Sequence, residues 1–273
     1  MSAVLVARGL SRRGHHVVVG CPNESHTHKM AMRAGLPAHH IPAGGKFDLL
    51  RSLGIARYCR AEQIDIINSQ ESRDRYLAIF ARWLGAGAGV VLTRRIHFTT
   101  FRHLGPLIYN IGADMQIAVS EAVRRSLVEG GVWEGRVRVV PNGVDVDEYA
   151  NVAPEAVQAL RARYLAEAGS AFVIGMVARL EERKGHALLF RALRYLDRDY
   201  RVLALGLSPG GERRARELAV AEGVDPEKLI CLGFIEDIAP YYRLMEVNIL
   251  PSFVEGMPRS IIEAMASGVP SIG

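Results

Sequence analysis

Apolar runs of strand length alternate with helix-like stretches along nearly the whole chain, and this alternation constrains the fold more than any other feature. The runs fall at 64–68 (IDIIN), 89–93 (GVVLT), 115–120 (MQIAVS) and 137–142 (VRVVPN), separated by amphipathic stretches such as SRDRYLAIFARWLG. Strands that each wait for a helical crossover pair in parallel, so the pattern predicts an α/β sheet. Ahead of them, residues 2–13 read as a helix with Val4, Ala7 and Leu10 on one side. Gly14 stops it, and HHVVVG reads as a buried strand.

A polar, helix-prone stretch at 147–168 precedes a second series of runs, FVIGMVARL, YRVLALG, KLICLG, EVNILPS and VPSIG. With 49% apolar and 23% charged residues, 273 positions suffice for two ordinary cores. The expected division is residues 1–150 and residues 151–273, each a Rossmann-like parallel-sheet domain. Ligand-binding residues then belong just after strands, where such sheets open a cleft. No strand precedes the first helix and the chain stops on one, so each domain is expected to be incomplete, the first at its start and the second at its end. On that ground the chain alone is expected to be poorly stable and inactive.

No apolar run approaches the roughly 20 residues that span a bilayer, and the start, MSAVLVARGLSRRG, is too broken by arginine for a secretory segment. A cytoplasmic location is expected. Cys21, Cys59 and Cys231 are far apart and lack metal-ligand spacing, which argues for small buried residues. Residues 1–150 hold 19 Lys and Arg against 13 Asp and Glu, whereas residues 151–273 hold 15 against 16. A basic first half attracts an anionic acceptor, a nucleic acid or an acidic lipid surface, or is ordinary surface charge. Within it, residues 46–60 mix Phe47, Leu49, Leu50 and Leu53 with Lys46, Arg51, Arg57 and Arg60. That mixture suits either peripheral docking to an acidic bilayer or packing on a sheet.

The segment 251–270, PSFVEGMPRSIIEAMASGVP, ends a strand, turns through Glu255 and Gly256, and enters a helix near Pro258 that runs to about Ser267. Free amides near Gly256, Met257 and Arg259, with the positive end of the helix dipole, suit an oxygen-rich or anionic ligand. Glu255 and Glu263 are spaced to accept from two different sets of sugar hydroxyls. Spacing alone favours a plainer arrangement, in which Glu255 caps the helix and Glu263 pairs with Arg259 on a solvated face. In ARLEERKGH, Arg179 ends a strand and Lys184 opens a helix, so both can neutralise a diphosphate or lie in a solvated charged loop. A third segment places a helix after Ser120 and a tight turn at Pro141, Asn142 and Gly143.

Three of these segments follow the order and phrasing of one family. The helix start at 119–121, VPNGVD at 140–145, GMVARLEERKGH at 175–186 and PSFVEGMPRSIIEAMASGVP resemble glycosyltransferase family 4, whose members have the two-domain GT-B fold. The resemblance implies retaining transfer of a sugar from a nucleoside-diphosphate sugar to a saccharide or lipid-linked acceptor, without a metal, a cofactor or a nucleic-acid partner. It implies that Arg179 and Lys184 hold the diphosphate. Glu255 with the backbone of Gly256, Met257, Pro258 and Arg259 would hold the sugar, and Glu263 the ribose. By the same likeness His97 faces the donor sugar, although its spacing alone suits a structural or surface histidine, and Phe234 and Ile235 lie beside the nucleobase, although an apolar core role suits both equally.

Three rivals follow from single features. Asp145 and Asp147 form a D-x-D pair of the kind that holds a divalent cation on a diphosphate, or else cap a helix. The glycines of GAGAGV at 85–90 precede a strand instead of following one, so the dinucleotide fingerprint fails. A binding subunit with a decayed site would have no need of Arg179, Lys184, Glu255 and Glu263 together.

Overall fold

The computed structural model describes residues 2–45, 47–71, 74–96 and 105–273. Lys46 and His97 therefore lie outside the described residues. The chain divides into two units, Met1–Pro141 and Asn142–Gly273.

In the first unit the elements run α1 (Ser2–Ser11), β1 (Val19–Cys21), α2 (His26–Arg33), β2 (Ala38–His40), α3 (Leu49–Ala61) and β3 (Ile66–Ser69). They continue as α4 (Asp74–Trp83), β4 (Gly89–Arg94), α5 (Gly105–Gly112), β5 (Met115–Ala118), α6 (Glu121–Glu129) and β6 (Val137–Val139). Strands β3, β4, β5 and β6 form one parallel sheet in that order, as the alternation predicts. Val90 and Leu92 of β4 are fully buried and pack with Ile79 of α4 and Tyr109 of α5, so helices cover the sheet. At the end of β5, Ser120 caps α6 by accepting from the Val123 amide.

The first strand differs from expectation. Instead of spanning HHVVVG it occupies only Val19–Cys21, and it pairs with β2 in a separate two-stranded sheet. Three-residue strands are shorter than the window over which alternation is readable, so β2 left no trace in the pattern. In α3 it is Ser52, Ala56 and Cys59 that face the core, while Leu49 and Leu50, and Phe47 just before the helix, are exposed.

The second unit comprises α7 (Val146–Ala150), α8 (Pro154–Tyr164), β7 (Phe172–Val177), α9 (His186–Leu193), β8 (Tyr200–Leu205) and α10 (Gly211–Ala221). After these come β9 (Leu229–Leu232), α11 (Ala239–Tyr242), β10 (Val247–Ile249), α12 (Arg259–Ala266) and β11 (Ser271–Ile272). The parallel sheet has the order β11-β10-β7-β8-β9. Central strands are covered on both faces, and their near-continuous apolar runs reflect this: Val202, Leu203, Ala204 and Leu205 are all fully buried. Winding proceeds from β7 to one side through β8 and β9, then to the other through β10 and β11. The order reverses between β7 and β10, the point at which doubly wound sheets open a crevice.

The boundary between units falls at Pro141, earlier than residue 150. Tyr149 is the reason, because its ring is 4% exposed and packs with Tyr242 and Leu244 in the second core. Asp145 is the N-cap residue of α7 and Asp147 lies in its first turn. Among the described residues no helix is long and apolar enough to cross a membrane.

Candidate functional site

The loops that follow β7 and β10 start from adjacent strands at the reversal point, and they carry most of the residues singled out in the sequence. After β7 the chain passes Arg179, makes a short 3-10 turn over Glu182–Lys184 and enters α9 through Gly185. After β10 it passes Pro251 and Ser252, turns through Glu255 and Gly256, and enters α12 with Pro258 at the N-cap. The loops are locked together, since the Phe253 amide donates to the Arg183 carbonyl at 2.9 Å.

That contact brings Lys184 and Glu255 together. The Lys184 ammonium donates to Glu255 Oε1, and the two side chains are only 16% and 19% exposed. Arg183 approaches the same carboxylate at 3.8 Å and Glu181 at 2.7 Å. Arg179 pairs with Glu181 at 2.9 Å while remaining 64% exposed, as a solvated charged loop would have it. Each positive group of this loop thus has a carboxylate partner that an incoming diphosphate can replace.

Glu263 is placed otherwise than on a solvated face. Its pairing with Arg259 is present at 2.7 Å, but the carboxylate is buried, and its other oxygen accepts from the Tyr242 hydroxyl at 2.9 Å. Burial and then the Glu263 charge drive the Tyr242 hydroxyl upward in pKa, which keeps it a donor. A carboxylate offers about four acceptor directions, and Arg259, Tyr242 and the neighbouring Tyr149 take up part of them. Tyr242→Phe removes one charged hydrogen bond and is expected to lower stability by about 1.5–3 kcal/mol in urea unfolding. A change below the scatter of the measurement would mean that Arg259 and Tyr149 hold Glu263 without it.

Around the helix entrance, no described hydrogen bond uses the amides of Gly256 and Met257. The Met257 carbonyl accepts from Asn142 at 2.8 Å, so the PNG turn braces the loop leading into α12. Phe234 and Ile235 separate: Phe234 is 52% exposed just after β9, whereas Ile235 packs against the second core. Sequence reasoning missed Tyr242, Asn142 and Arg183 as partners of site residues, and a lone tyrosine in a four-residue helix carries no signal that would have found it.

His186 opens α9 directly behind Lys184. It is 2% exposed, and neither ring nitrogen has a hydrogen-bond partner among the described residues. Burial, aided by the Lys184 charge, lowers its pKa to about 4. The folded chain then keeps a neutral imidazole where the unfolded chain takes a proton below its ordinary value of 6.5. Stability is complete above pH 6.5 and declines as pH falls toward 4, by about 3 kcal/mol at most. Urea titrations across that range are expected to show the slope, and His186→Leu is expected to flatten it.

The fold agrees with comparisons to known proteins. The model for "Glycosyltransferase Family 4" matches residues 1–148, and that for "Glycosyl transferases group 1" matches residues 171–273. The chain belongs to glycosyltransferase family 4. It is 28% identical over 242 residues to an Escherichia coli UDP-Gal:alpha-D-GlcNAc-diphosphoundecaprenol alpha-1,3-galactosyltransferase, covering 82% of the chain and 61% of that protein. It is 33% identical over 143 residues to the putative glycosyltransferase EpsF of Bacillus subtilis, covering 50% of the chain and 35% of that protein. The chain thus spans between about a third and three fifths of these relatives. Anabaena HepE, solved with UDP and glucose, superposes with a TM-score of 0.83 at 19% identity, covering 99% of the chain and 76% of HepE. Such similarity shows the GT-B fold.

Proposed function

We propose that the protein transfers a sugar, with retention of anomeric configuration, from a nucleoside-diphosphate sugar to a saccharide or lipid-linked acceptor. The observation that carries this is the Lys184–Glu255 pair beside the start of α12, at the reversal point of the second sheet. Departure of the nucleoside diphosphate concentrates negative charge on its oxygens, and Lys184 and Arg179 are the groups to meet it. Fixed cationic donors in a partly dry site supply a few kcal/mol of such stabilisation, on the order of 100-fold in rate. Glu255, released from Lys184 by the diphosphate, accepts from sugar hydroxyls, with the Gly256 and Met257 amides as donors. Glu263 accepts from the ribose, and the exposed Phe234 offers a face to the base. His97 is assigned beside the donor sugar by its motif.

The names of relatives favour this donor and acceptor class. One acts from UDP-galactose on a diphosphoundecaprenol-linked sugar, and others are D-inositol 3-phosphate glycosyltransferases. Metal independence follows from the same roles, because Arg179 and Lys184 take the place of a cation. A cytoplasmic protein docked on an acidic inner leaflet fits the exposed Phe47, Leu49 and Leu50 beside Arg51 and Arg57. Charge reversal at Arg51 and Arg57 would then abolish co-sedimentation with anionic liposomes.

The deciding experiment is a thermal-protection screen of UDP-, GDP- and ADP-sugars, followed by transfer in EDTA. A bound donor at 100 times its Kd stabilises by about 2.7 kcal/mol, which a melting curve resolves. Protection by none of the three would end the assignment, and transfer abolished by EDTA would end its metal-independent form.

A further inference from the structure

Glu181 stands between two arginines of the loop after β7, in the place an anion would take. Leu180 packs against the second core, and the Glu181 amide donates back across it to the Arg179 carbonyl at 2.8 Å. That tight turn leaves the Arg179 and Glu181 side chains outside the core. The Glu181 carbonyl accepts from the Lys184 amide at 2.9 Å, closing the 3-10 turn that carries Arg183 round to the same carboxylate. One oxygen of Glu181 then meets Arg179 at 2.9 Å, and the other meets Arg183 at 2.7 Å.

These groups belong to a larger set. Arg183 also lies 3.8 Å from Glu255, whose nearer partner is Lys184, so three cations share two carboxylates and one positive charge is left over. The Arg183 backbone is fixed there by its carbonyl, which accepts from the Phe253 amide at 2.9 Å. A diphosphate brings more charge and more oxygens than the carboxylate it meets. To reach Arg179 and Arg183 it has to break both Glu181 contacts and then lie beside a like charge. The two guanidiniums are 64% and 39% exposed, so each contact is individually weak and the exchange is reversible. Glu182, the next residue, is exposed and pairs with no cation among the described residues.

We propose that Glu181 is an internal competitor for the donor's diphosphate: it holds Arg179 and Arg183 in the free site, yields them when the donor binds and takes them back as the nucleoside diphosphate leaves. Arg183 is thereby a third cation of the diphosphate seat, beside Arg179 and Lys184. This rests on the sugar-nucleotide reading and adds to it the group that sets how tightly the spent nucleotide is kept. Removing Glu181 strengthens nucleotide binding, the opposite of what removing a ligand-holding residue does.

The test is calorimetric titration of the full chain with UDP and, as the uncharged control, uridine, at physiological ionic strength, together with stopped-flow dissociation of UDP. UDP is expected to bind about five- to tenfold more tightly to Glu181→Gln and to Glu181→Ala than to the parent protein, and to leave more slowly by a similar factor. Uridine affinity should be the same in all three. Glu182→Gln removes the same charge from the same loop without freeing an arginine, and should change UDP affinity by less than about twofold. Arg183→Gln should weaken UDP binding about fivefold or more. Unchanged UDP affinity in both Glu181 variants would overturn the proposal, as would a loss in both, which would make Glu181 the group that orients the arginines. An equal gain in Glu182→Gln would reduce the effect to the general field of the loop and overturn it too, and unchanged affinity in Arg183→Gln would remove one of the two contacts on which the exchange depends. If the parent protein binds uridine as tightly as UDP, the diphosphate assignment itself falls and the proposal with it. UDP binding that is tighter than uridine binding but indifferent to Glu181 ends the proposal alone.

Discussion

Alanine in place of Gly185 is expected to destabilise the second unit by about 2–5 kcal/mol and to abolish donor binding. Gly185 has φ of +78°, a left-handed conformation that costs a residue with a Cβ roughly 1–2 kcal/mol. The added carbon would also run into the Pro251 carbonyl oxygen, with the carbonyl carbon 2.9 Å away. Backbone on both sides leaves no rotamer to escape to, and overpacking of this kind adds about 1–3 kcal/mol. Relief requires the loops after β7 and β10 to separate, which pulls Lys184 from Glu255. Gly210→Ala is the control, because its φ of +73° carries the same strain with nothing within 4 Å of the new carbon. Urea unfolding of the two variants should differ by the clash alone. Equal destabilisation would mean that the loops can part at no cost.

The second large effect is expected at Lys184. Lys184→Ala should lower kcat/KM for sugar transfer about 100-fold or more, the scale on which one charge-stabilising donor acts. UDP affinity should fall with it, because the lysine meets the diphosphate before and during bond breaking. A purely structural ion pair makes a different prediction. Then Lys184→Met and Glu255→Met would each be harmful through the partner left behind, and the double variant would recover. The proposed roles are separate in the loaded site, so the double variant should be no better than the worse single one. Recovery of transfer in the double variant would contradict the assignment.

Legibility differed sharply between fold and site. The alternation of runs reported both parallel sheets, because strands covered on two faces and helices covered on one leave patterns of different period. The helix entered at Pro258 was also readable, since proline and the residues around it act through their own backbone angles. The strand at Ala38–His40 was not readable, being three residues whose pairing with Val19–Cys21 depends on a partner distant in sequence. Phe234 and Ile235 are adjacent and similarly apolar, and only the path after β9 decides that one points outward and the other inward.

The site shows the same division. Spacing alone proposed that Glu263 pairs with Arg259, and one helical turn is enough to make that so. Whether the pair is solvated depends on what lies over it, and Tyr242, 21 residues earlier in the chain, closes it off. By itself the sequence determined the class of fold, the order of elements and the residue types at the donor loops, because these rest on local periodicity, turn chemistry and motif. Tertiary structure alone decided the reversal between β7 and β10, the joining of Lys184 to Glu255 across 71 positions and the burial of Glu263. Charge pairing and desolvation depend on distance and cover in space, and no local pattern of residues encodes either.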